Sequence, residues 1–451
     1  MQRLLAWLDH RLGIVTLARA SLLDKHPPRG IGFLRTLGFA ALVVLALQFL
    51  SGIALAFHYV PSAELAYDSI RAFEQDVPYG TLVRSLHHFG ASAFVVCAAL
   101  HMLRVYFTGA YKRPREFTWL TGIVLLTLVL GFGFTGYLLP WDQKAYFATK
   151  VGTEIAGKAP VVGEFVRTAL NGGDEVGPPT LTRFYVIHVV LLPLGLLGVL
   201  LVHLALIQRH GVAPPGLPVD QAGAKGPPYF PHHVFKEVLV GMLVAGALFW
   251  LASRYRAPLE AVAEPSDTKY QPRPDWYFLG LFQLLKYFHG PWETVGTLWL
   301  PTLALAGAVL LPFVDRNPER RLARRPLAAA LGLGFVAAVG VLTWLGWRDA
   351  PHNEAVLEYP LGLTPQERHG YMLVRRSNCT DCHQHVTKDG RKIGERQHDA
   401  PNLEKLDRSV DEVAAILEDP QEAIGSEDMP DYAHLSLEDR RAIGIYLKTL
   451  R

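Results

Sequence analysis

The stretch RSLHHFGASAFVVCAALHMLR, residues 84–104, decides the fold expected for this chain. Between its terminal arginines no side chain carries a full charge, and its length suits a helix that crosses a bilayer core about 30 Å thick. His87 and His101 lie fourteen residues apart within it. Over fourteen residues a helix rises about 21 Å and drifts in angle by only about 40°. Both imidazoles are therefore expected on one face, near opposite sides of the membrane.

A second uncharged segment, residues 184–208, carries His188 and His203 fifteen residues apart. Ionisable side chains inside a membrane are costly and usually mark a functional site. Two helices with an upper and a lower histidine each can hold two stacked haems. We expect His87 and His188 to ligate one haem near the outer face, and His101 and His203 to ligate another near the inner face. Ordinary packing histidines are the alternative, which two matched pairs disfavour.

The composition indicates a membrane protein, because half of the residues are hydrophobic and only 19% are charged. A net charge of +3 without a basic stripe argues against a nucleic-acid partner. We therefore predict an all-α fold, a polytopic transmembrane bundle of about seven helices followed by a small α-helical domain. The apolar stretches lie near 36–58, 85–103, 117–141, 184–208, 238–253, 294–314 and 326–347.

Loop charges orient this bundle. Residues 1–32 carry five Lys and Arg against two acids, whereas 59–80 carry one against four, and the positive-inside rule then predicts a cytoplasmic amino terminus. Seven crossings would place the tail in the periplasm, which suits a multi-pass protein of a bacterial inner membrane. The predicted parts are an amphipathic segment 1–32, a four-helix di-haem b domain 33–210, a three-helix domain 211–347, a linker 348–360 and a monohaem domain 361–451.

Small and basic residues support the haem hypothesis. Glycines recur at intervals of fourteen residues on the first and third helices, where a missing side chain would let a flat macrocycle approach the backbone; ordinary helix packing is the alternative. Arginines at the membrane edges are candidate partners for haem propionates, with interfacial anchoring as the alternative. The glycines are Gly38, Gly52, Gly122 and Gly136, and the arginines are Arg84, Arg104 and Arg183.

The tail contains Cys379-Thr-Asp-Cys382-His383. CxxCH is the attachment signature of c-type haem, with two thioether bonds from the cysteines and an axial histidine. Half of a zinc site is the alternative, but no second CxxC follows. Met429 is the predicted sixth ligand, which would raise the haem potential. The rival ligands are His385, His398 and His434.

The membrane part resembles cytochrome b of the quinol:cytochrome c and plastoquinol:plastocyanin oxidoreductases over roughly residues 1–347. The tail resembles a class I cytochrome c. The spacing of His188 and His203, with three helices after the fourth, is similar to the chloroplast-type branch. The motifs that carry the likeness are RSLH at 84–87, LHMLR at 100–104, GYLLPWDQ at 136–143 and LTRFYVIH at 181–188.

The resemblance also implies quinone sites. Pro274-Asp275-Trp276-Tyr277 matches the family's Pro-Glu-Trp-Tyr motif at the outer quinol-oxidation pocket, so Asp275 is expected to accept a quinol proton, and Tyr146 falls at a pocket position. A solvated loop acid is the alternative for Asp275, whose side chain is one methylene shorter than glutamate. The inner quinone-reduction site aligns with Arg209, His210, Lys236 and Glu237, for which snorkelling at the membrane edge is an equally good explanation.

The activity implied is quinol oxidation with electron bifurcation, coupled to proton translocation. One electron would pass through a Rieske iron–sulfur protein to the tethered cytochrome c, and the other through two haem b groups to a quinone. The implied partners are that Rieske protein, a downstream cytochrome or terminal oxidase, membrane lipid and a second copy of the chain in a homodimer. A two-haem anchor that relays electrons without bifurcation is the alternative, and a transporter or scaffold would have no use for CxxCH.

We expect a reduced-minus-oxidised spectrum of the purified protein to contain two b-type components and one c-type component. Each of the two membrane histidine pairs and the CxxCH motif requires its own haem. Difference spectroscopy during a redox titration would resolve them. A membrane part without b-type absorbance would contradict the histidine-pair hypothesis.

Overall fold

The computed structural model describes residues 23–349, apart from 222, 266, 268 and 269, and residues 363–450, apart from 378, 388–391, 394–399 and 404–406. It also describes residues 7, 9–11, 13 and 16. Most of the predicted amphipathic segment, most of the predicted linker and His398 lie outside these ranges. The chain divides into two compact units, Met1–Val356 and Leu357–Arg451.

Seven helices of the described chain are long and apolar enough to cross a membrane, which confirms the predicted bundle. The helix Trp276–Leu285, with ten residues, is too short to cross. The spans, numbered first to seventh, are Phe33–Ala56, Gly80–Phe107, Glu116–Leu138, Pro178–His210, Tyr229–Arg254, Gly290–Val314 and Pro326–Arg348.

The outward faces of the spans are as apolar as their packed faces. Leu201, Leu243 and Phe335 are each more than half exposed, which suits contact with lipid chains rather than water. The second span packs against the first and the fifth, where the buried core is made mainly of small and branched side chains. That core contains Ala40, Val44, Leu86, Cys97, Leu248 and Ala252.

The fourth span contains a π turn at Ile187–Leu191, closed by the Leu192 N–H that donates to the Ile187 carbonyl. Pro193 follows directly, and proline has no N–H and crowds the carbonyl four residues earlier, so a wider turn relieves the clash. Fifteen residues of regular α-helix would rotate His203 by about 60° from His188. Because a π turn absorbs one extra residue, the pair has nearly the same alignment as His87 and His101.

Connections between the spans fold over one end of the bundle. The buried carboxylate of Asp142 accepts from the Ala145 N–H, where it caps a helix, and from the Glu260 N–H. Burial raises the pKa of this carboxyl, although both backbone bonds favour the anion. Asp142 therefore links the connection after the third span to the connection after the fifth span. The connecting helices are Ala66–Asp76, Gln143–Gly157, Gly163–Asn171 and Trp276–Leu285.

The C-terminal unit is also mainly helical. Its first and last helices cross where Gly370 meets Ala442, and Tyr371, Val374 and Tyr446 are buried around the crossing. A two-stranded antiparallel pair, His385–Val386 with Lys392–Ile393, was not predicted. The helices are Pro365–Arg376, Cys379–Cys382, Val410–Glu418, Pro420–Ile424 and Leu437–Leu447.

We expect Gly370→Ala to destabilise the C-terminal unit by about 1–3 kcal/mol or more, because overpacking forces backbone shifts. A Cβ at Gly370 would lie 1.9 Å from the Ala442 carbonyl oxygen, and a Cβ at Gly444 would lie 3.1 Å from the Val410 carbonyl oxygen. Limited proteolysis of the intact chain in increasing denaturant measures the effect. Gly444→Ala is the matched control and should shift the midpoint less; equal midpoints would contradict the crossing.

Candidate functional site

Two histidines face each other near one end of the bundle. The ring centroids of His87 and His188 are 6.5 Å apart with planes inclined at 72°. An imidazole–metal bond is about 2.0–2.1 Å long, and two such bonds plus two ring radii give a centroid separation of this order. Both rings line one cavity of about 290 Å³, called the outer cavity after the predicted orientation.

The other two histidines line a second cavity of about 620 Å³, the inner cavity, as predicted. Leu45, Phe94 and Val129 line both cavities. These apolar side chains form the partition between them. The four histidines are therefore sorted into the two predicted pairs, at two depths of the bundle.

Each of the four glycines lies against the edge of one histidine ring. A Cβ would lie 3.1 Å from the ring Cε1 at Gly38 and Gly52, 3.6 Å at Gly122 and 2.6 Å at Gly136. The prediction assigned the space to a macrocycle, and in the structure each of these glycines faces an imidazole ring. The glycines therefore set how closely each histidine approaches the neighbouring helix. The ring facing each glycine is His101 at Gly38, His87 at Gly52, His203 at Gly122 and His188 at Gly136.

Three hydroxyls missed by the sequence analysis orient these rings. Ser51, Thr121 and Thr135 each contact a histidine Nδ1 at 2.8–3.0 Å. Each hydroxyl also donates to a carbonyl one turn earlier in its own helix, so it is left to accept from the Nδ1–H. That tautomer presents a bare Nε2 to a metal. The sequence contained a signal for these hydroxyls, because each of the three residues directly precedes one of the glycines.

Unpaired cationic atoms show that the inner cavity fits an anionic cofactor. Arg35 and Arg104 both line it. Within the described part of the chain, Arg35 Nη1 and Arg104 Nε are buried with no hydrogen-bond partner. Such buried donors are costly unless something binds them, and haem propionates carry the required charge. Arg104 was predicted for this role and Arg35 was missed.

The other two predicted arginines are engaged elsewhere. Arg84 lines the outer cavity, but its guanidinium pairs with Glu74 at 2.7 Å and donates to the Ala257 and Pro258 carbonyls. Arg183 does not line that cavity, and it donates instead to the Ala169 carbonyl at 2.5 Å. The structure thus argues against a propionate contact from Arg183, because its long side chain caps a neighbouring helix.

The outer cavity also contains the predicted quinol residues Asp275 and Tyr277. Asp275 stands at the start of the helix Trp276–Leu285 without capping it. Its carboxylate instead pairs with Lys144 at 2.7 Å, and the Tyr277 hydroxyl lies 3.5 Å from it. Lys144 was missed by the sequence analysis. The Asp275 carboxylate thus lines the same cavity as the His87–His188 pair.

The remaining predicted residues of this site lie outside the cavity wall. Tyr146 is buried in a core cluster against Trp141 and Phe147, because the first turns of its helix face the protein interior. Trp276 directs its indole N–H to the Ser92 hydroxyl at 3.2 Å. Pro274 immediately precedes the helix start and also does not line the cavity.

Of the four residues predicted for quinone reduction, Glu237 alone lines the inner cavity. It accepts from the Tyr229 hydroxyl at 2.5 Å and lies 3.5 Å from His233 Nε2. A lysine that was not predicted, Lys25, lines the cavity and donates to Gln208 Oε1 at 2.8 Å, and burial lowers its pKa. The residues that point elsewhere are Arg209, His210 and Lys236, the last of which donates to the Ile31 carbonyl.

In the C-terminal unit, Cys379 and Cys382 bound one short helix and His383 follows it. The His383 Nδ1 lies 2.8 Å from the Pro401 carbonyl oxygen. Donation to that oxygen leaves Nε2 available for a metal. Among the rival ligands, the buried His385 has its Nε2 3.0 Å from the Tyr446 hydroxyl. His434 is exposed, and Met429 lies half-buried on the loop before the last helix.

Comparison with known proteins agrees with this geometry. Residues 22–211 match the family described as cytochrome b/b6/petB, and residues 262–359 match cytochrome b(C-terminal)/b6/petD. The menaquinol:cytochrome c reductase cytochrome b subunit of Geobacillus thermodenitrificans is 42% identical over 223 residues, 48% of this chain and 99% of that protein. The cytochrome bc complex cytochrome b subunit of Chlorobaculum thiosulfatiphilum is 34% identical over 342 residues, 75% of this chain and 79% of that protein.

A solved structure described as a hyperthermophilic respiratory Complex III has a TM-score of 0.70 and 30% identity, and covers 77% of this chain and 91% of its own. The seven spans and the two histidine pairs define an integral-membrane cytochrome. The chain belongs to the cytochrome b/b6 family and is a component of an oxidoreductase complex. Both family matches end by residue 359, before the CxxCH motif.

We expect Gly136→Ala to displace the His188 ring and to remove roughly half of the b-type absorbance, since it overpacks one of two sites. Gly122→Ala is the matched control, because its Cβ would make an ordinary contact of 3.6 Å with His203. Pyridine haemochrome spectra per mole of purified protein measure the difference. Equal b-haem content in the two variants would contradict the role of the glycine contact.

Proposed function

We propose that this chain is the cytochrome b subunit of a quinol:cytochrome c reductase, with a cytochrome c unit appended, and that it supports electron bifurcation. One observation carries the proposal: Asp275 and Tyr277 share a cavity with the His87–His188 pair. In this proposal, a proton acceptor and an electron acceptor for the same quinol lie side by side. The b haems, when bound, supply one-electron acceptors at two depths of the membrane.

Asp275 is suited to general-base work at the outer site. Its carboxylate pairs with Lys144, and its side chain remains about one-fifth exposed, so a captured proton has a route to water. Tyr277 adds a hydroxyl that stays protonated, because burial and the neighbouring Asp275 raise its pKa. Quinol would donate one hydroxyl proton to Asp275 as its first electron leaves.

The inner cavity is suited to the opposite reaction. Glu237, its partners Tyr229 and His233, and the nearby Lys25 bring proton donors and a cation to one wall. A quinone that gains electrons there needs two protons, and these groups lie beside the His101–His203 pair. In place of the set predicted from sequence, the proposed reduction site is Lys25, Tyr229, His233 and Glu237.

The rest of the pathway needs partners. A Rieske iron–sulfur protein would take the first electron from quinol and pass it to haem c, bound by Cys379, Cys382, His383 and Met429. Tethering the cytochrome c to the membrane unit makes this delivery intramolecular at high effective concentration. A downstream cytochrome or terminal oxidase would accept the electron, and two copies of the chain would form the core of the complex. Lipid of a bacterial plasma membrane would surround the spans, with the amino terminus cytoplasmic and the cytochrome c unit outside.

The alternative is a di-haem anchor that relays electrons between quinone and a dehydrogenase without bifurcation. Such an anchor needs one quinone site. Two cavities, each with a histidine pair and an acidic side chain, favour bifurcation. Purification with partners discriminates between the two functions, because a Rieske protein is expected to co-elute only with the reductase.

We expect Asp275→Asn to slow quinol-driven reduction of the b haems by about 10²–10⁴-fold, because the amide cannot accept the quinol proton. Stopped-flow spectroscopy of the intact complex, with the iron–sulfur arm inhibited, measures the rate. Reduction by dithionite should be unchanged. Asp275→Glu, the residue of the family motif, should retain activity.

Glu293→Gln is the control for the loss of an acid in an ion pair, since Glu293 pairs with Lys158 at the surface and does not line the outer cavity. It should oxidise quinol at the wild-type rate. A wild-type rate in Asp275→Asn would instead rule out Asp275 as the base.

A further inference from the structure

One residue departs from a repeated pattern around the four histidines. The residue directly before the facing glycine is Ser51 on the first span and Thr121 or Thr135 on the third, but Leu37 before Gly38. The three hydroxyls contact the Nδ1 atoms of His87, His203 and His188. Within the described part of the chain, the Nδ1 of His101 is buried without a hydrogen-bond partner.

The backbone before Gly38 also differs from the backbone before the other three glycines. Ser51, Thr121 and Thr135 all lie well inside regular α-helices. Gly38 is only the second residue of its α-helix, and the preceding turn, Phe33–Thr36, is a 3₁₀ helix. The carbonyl four residues before Gly38 therefore belongs to a tighter turn and is displaced from the α-helical position.

Hydrogen bonds to a ligating imidazole tune the metal. Donation from Nδ1–H to an oxygen makes the ring more basic and a stronger electron donor. A stronger donor stabilises the ferric form, and second-shell hydrogen bonding is one of the protein's means of setting the potential of a haem. Both outer ligands, His87 and His188, have a hydroxyl partner for Nδ1. Of the two inner ligands, only His203 has one.

The distribution of charge would change the haem potential in the same direction as the missing hydrogen bond. At the outer cavity, Arg84 is paired with Glu74 and Lys144 with Asp275. At the inner cavity, Arg35 and Arg104 keep buried donor atoms without partners in the described chain. A positive environment favours the less positive, ferrous iron. The two cavities thus differ in the hydrogen bonding of their histidines and in their unpaired positive charge.

We propose that Leu37, by withholding a hydroxyl from His101, raises the potential of the b haem that the inner pair would hold. This inference rests on the proposed function, in which both histidine pairs bind haem. Leu37 is a positioning residue that acts through His101.

The test is a matched pair, Leu37→Thr and Leu37→Val, which differ only by a hydroxyl in place of a methyl group. The ideal Cβ at Gly38 lies 3.2 Å from His101 Nδ1, compared with 3.1 Å from His188 Nδ1 at Gly136, so a hydroxyl on residue 37 is expected to reach the ring. In an optical redox titration of the intact complex, Leu37→Thr should favour ferric inner haem about tenfold, a fall in potential of about 59 mV. Leu37→Val should match the wild type, and the outer potential should not move.

A second variant keeps the inference testable where Leu37→Thr does not fold. Thr135→Val removes the hydroxyl that contacts His188 and should raise the outer potential, leaving the inner one in place. Unchanged potentials in both threonine variants, with two b haems bound, would overturn the role of the hydroxyls while leaving the proposed function intact. A wild-type protein without b haems would overturn the proposed function itself.

Discussion

The structure depends on one constraint: each of four imidazole rings packs against a glycine on the neighbouring helix. A side chain at Gly136 would meet the His188 ring at 2.6 Å, so the helices can approach as they do only where the side chain is missing. The approach brings a hydroxyl within reach of three of the rings. Hydrogen bonding then fixes which ring nitrogen carries the proton, and the other nitrogen is directed into a cavity. Helix packing and ligand chemistry are thus set by the same residues, since the glycine and the hydroxyl are adjacent in sequence.

The two cavities use charge differently. In the outer one, Lys144 pairs with Asp275 and Arg84 pairs with Glu74. In the inner one, Arg35 Nη1 and Arg104 Nε are buried without a hydrogen-bond partner in the described part of the chain, which suits an anionic cofactor. Leu45, Phe94 and Val129 line both cavities and form an apolar partition between them. In the proposed function, this partition separates the proton transfers of the two sites.

Much of the bundle was predictable because its determinants are local. A long stretch without charged residues indicates a membrane-crossing helix. The fourteen-residue spacing of His87 and His101 places both on one face through helical geometry alone. The fifteen-residue spacing of the other pair required a π turn, which Pro193 explains but the periodicity did not reveal. Asp275 and Tyr277 were found by motif, since they lie together at one helix start. Tyr146 was misplaced because the motif alone did not reveal which face of its helix is buried.

By itself, the sequence determined the number of spans, the pairing of the histidines and the spacing of the four glycines. Each follows from spacing along one helix. Only the tertiary structure decided which partner each lysine meets: Lys144 and Asp275 are 131 residues apart, and Lys25 and Gln208 are 183 apart. Long charged side chains reach several possible partners, so their choice depends on the packing of distant segments. For the same reason, Arg183 proved to cap a neighbouring helix, and Lys236 proved to point away from the inner cavity.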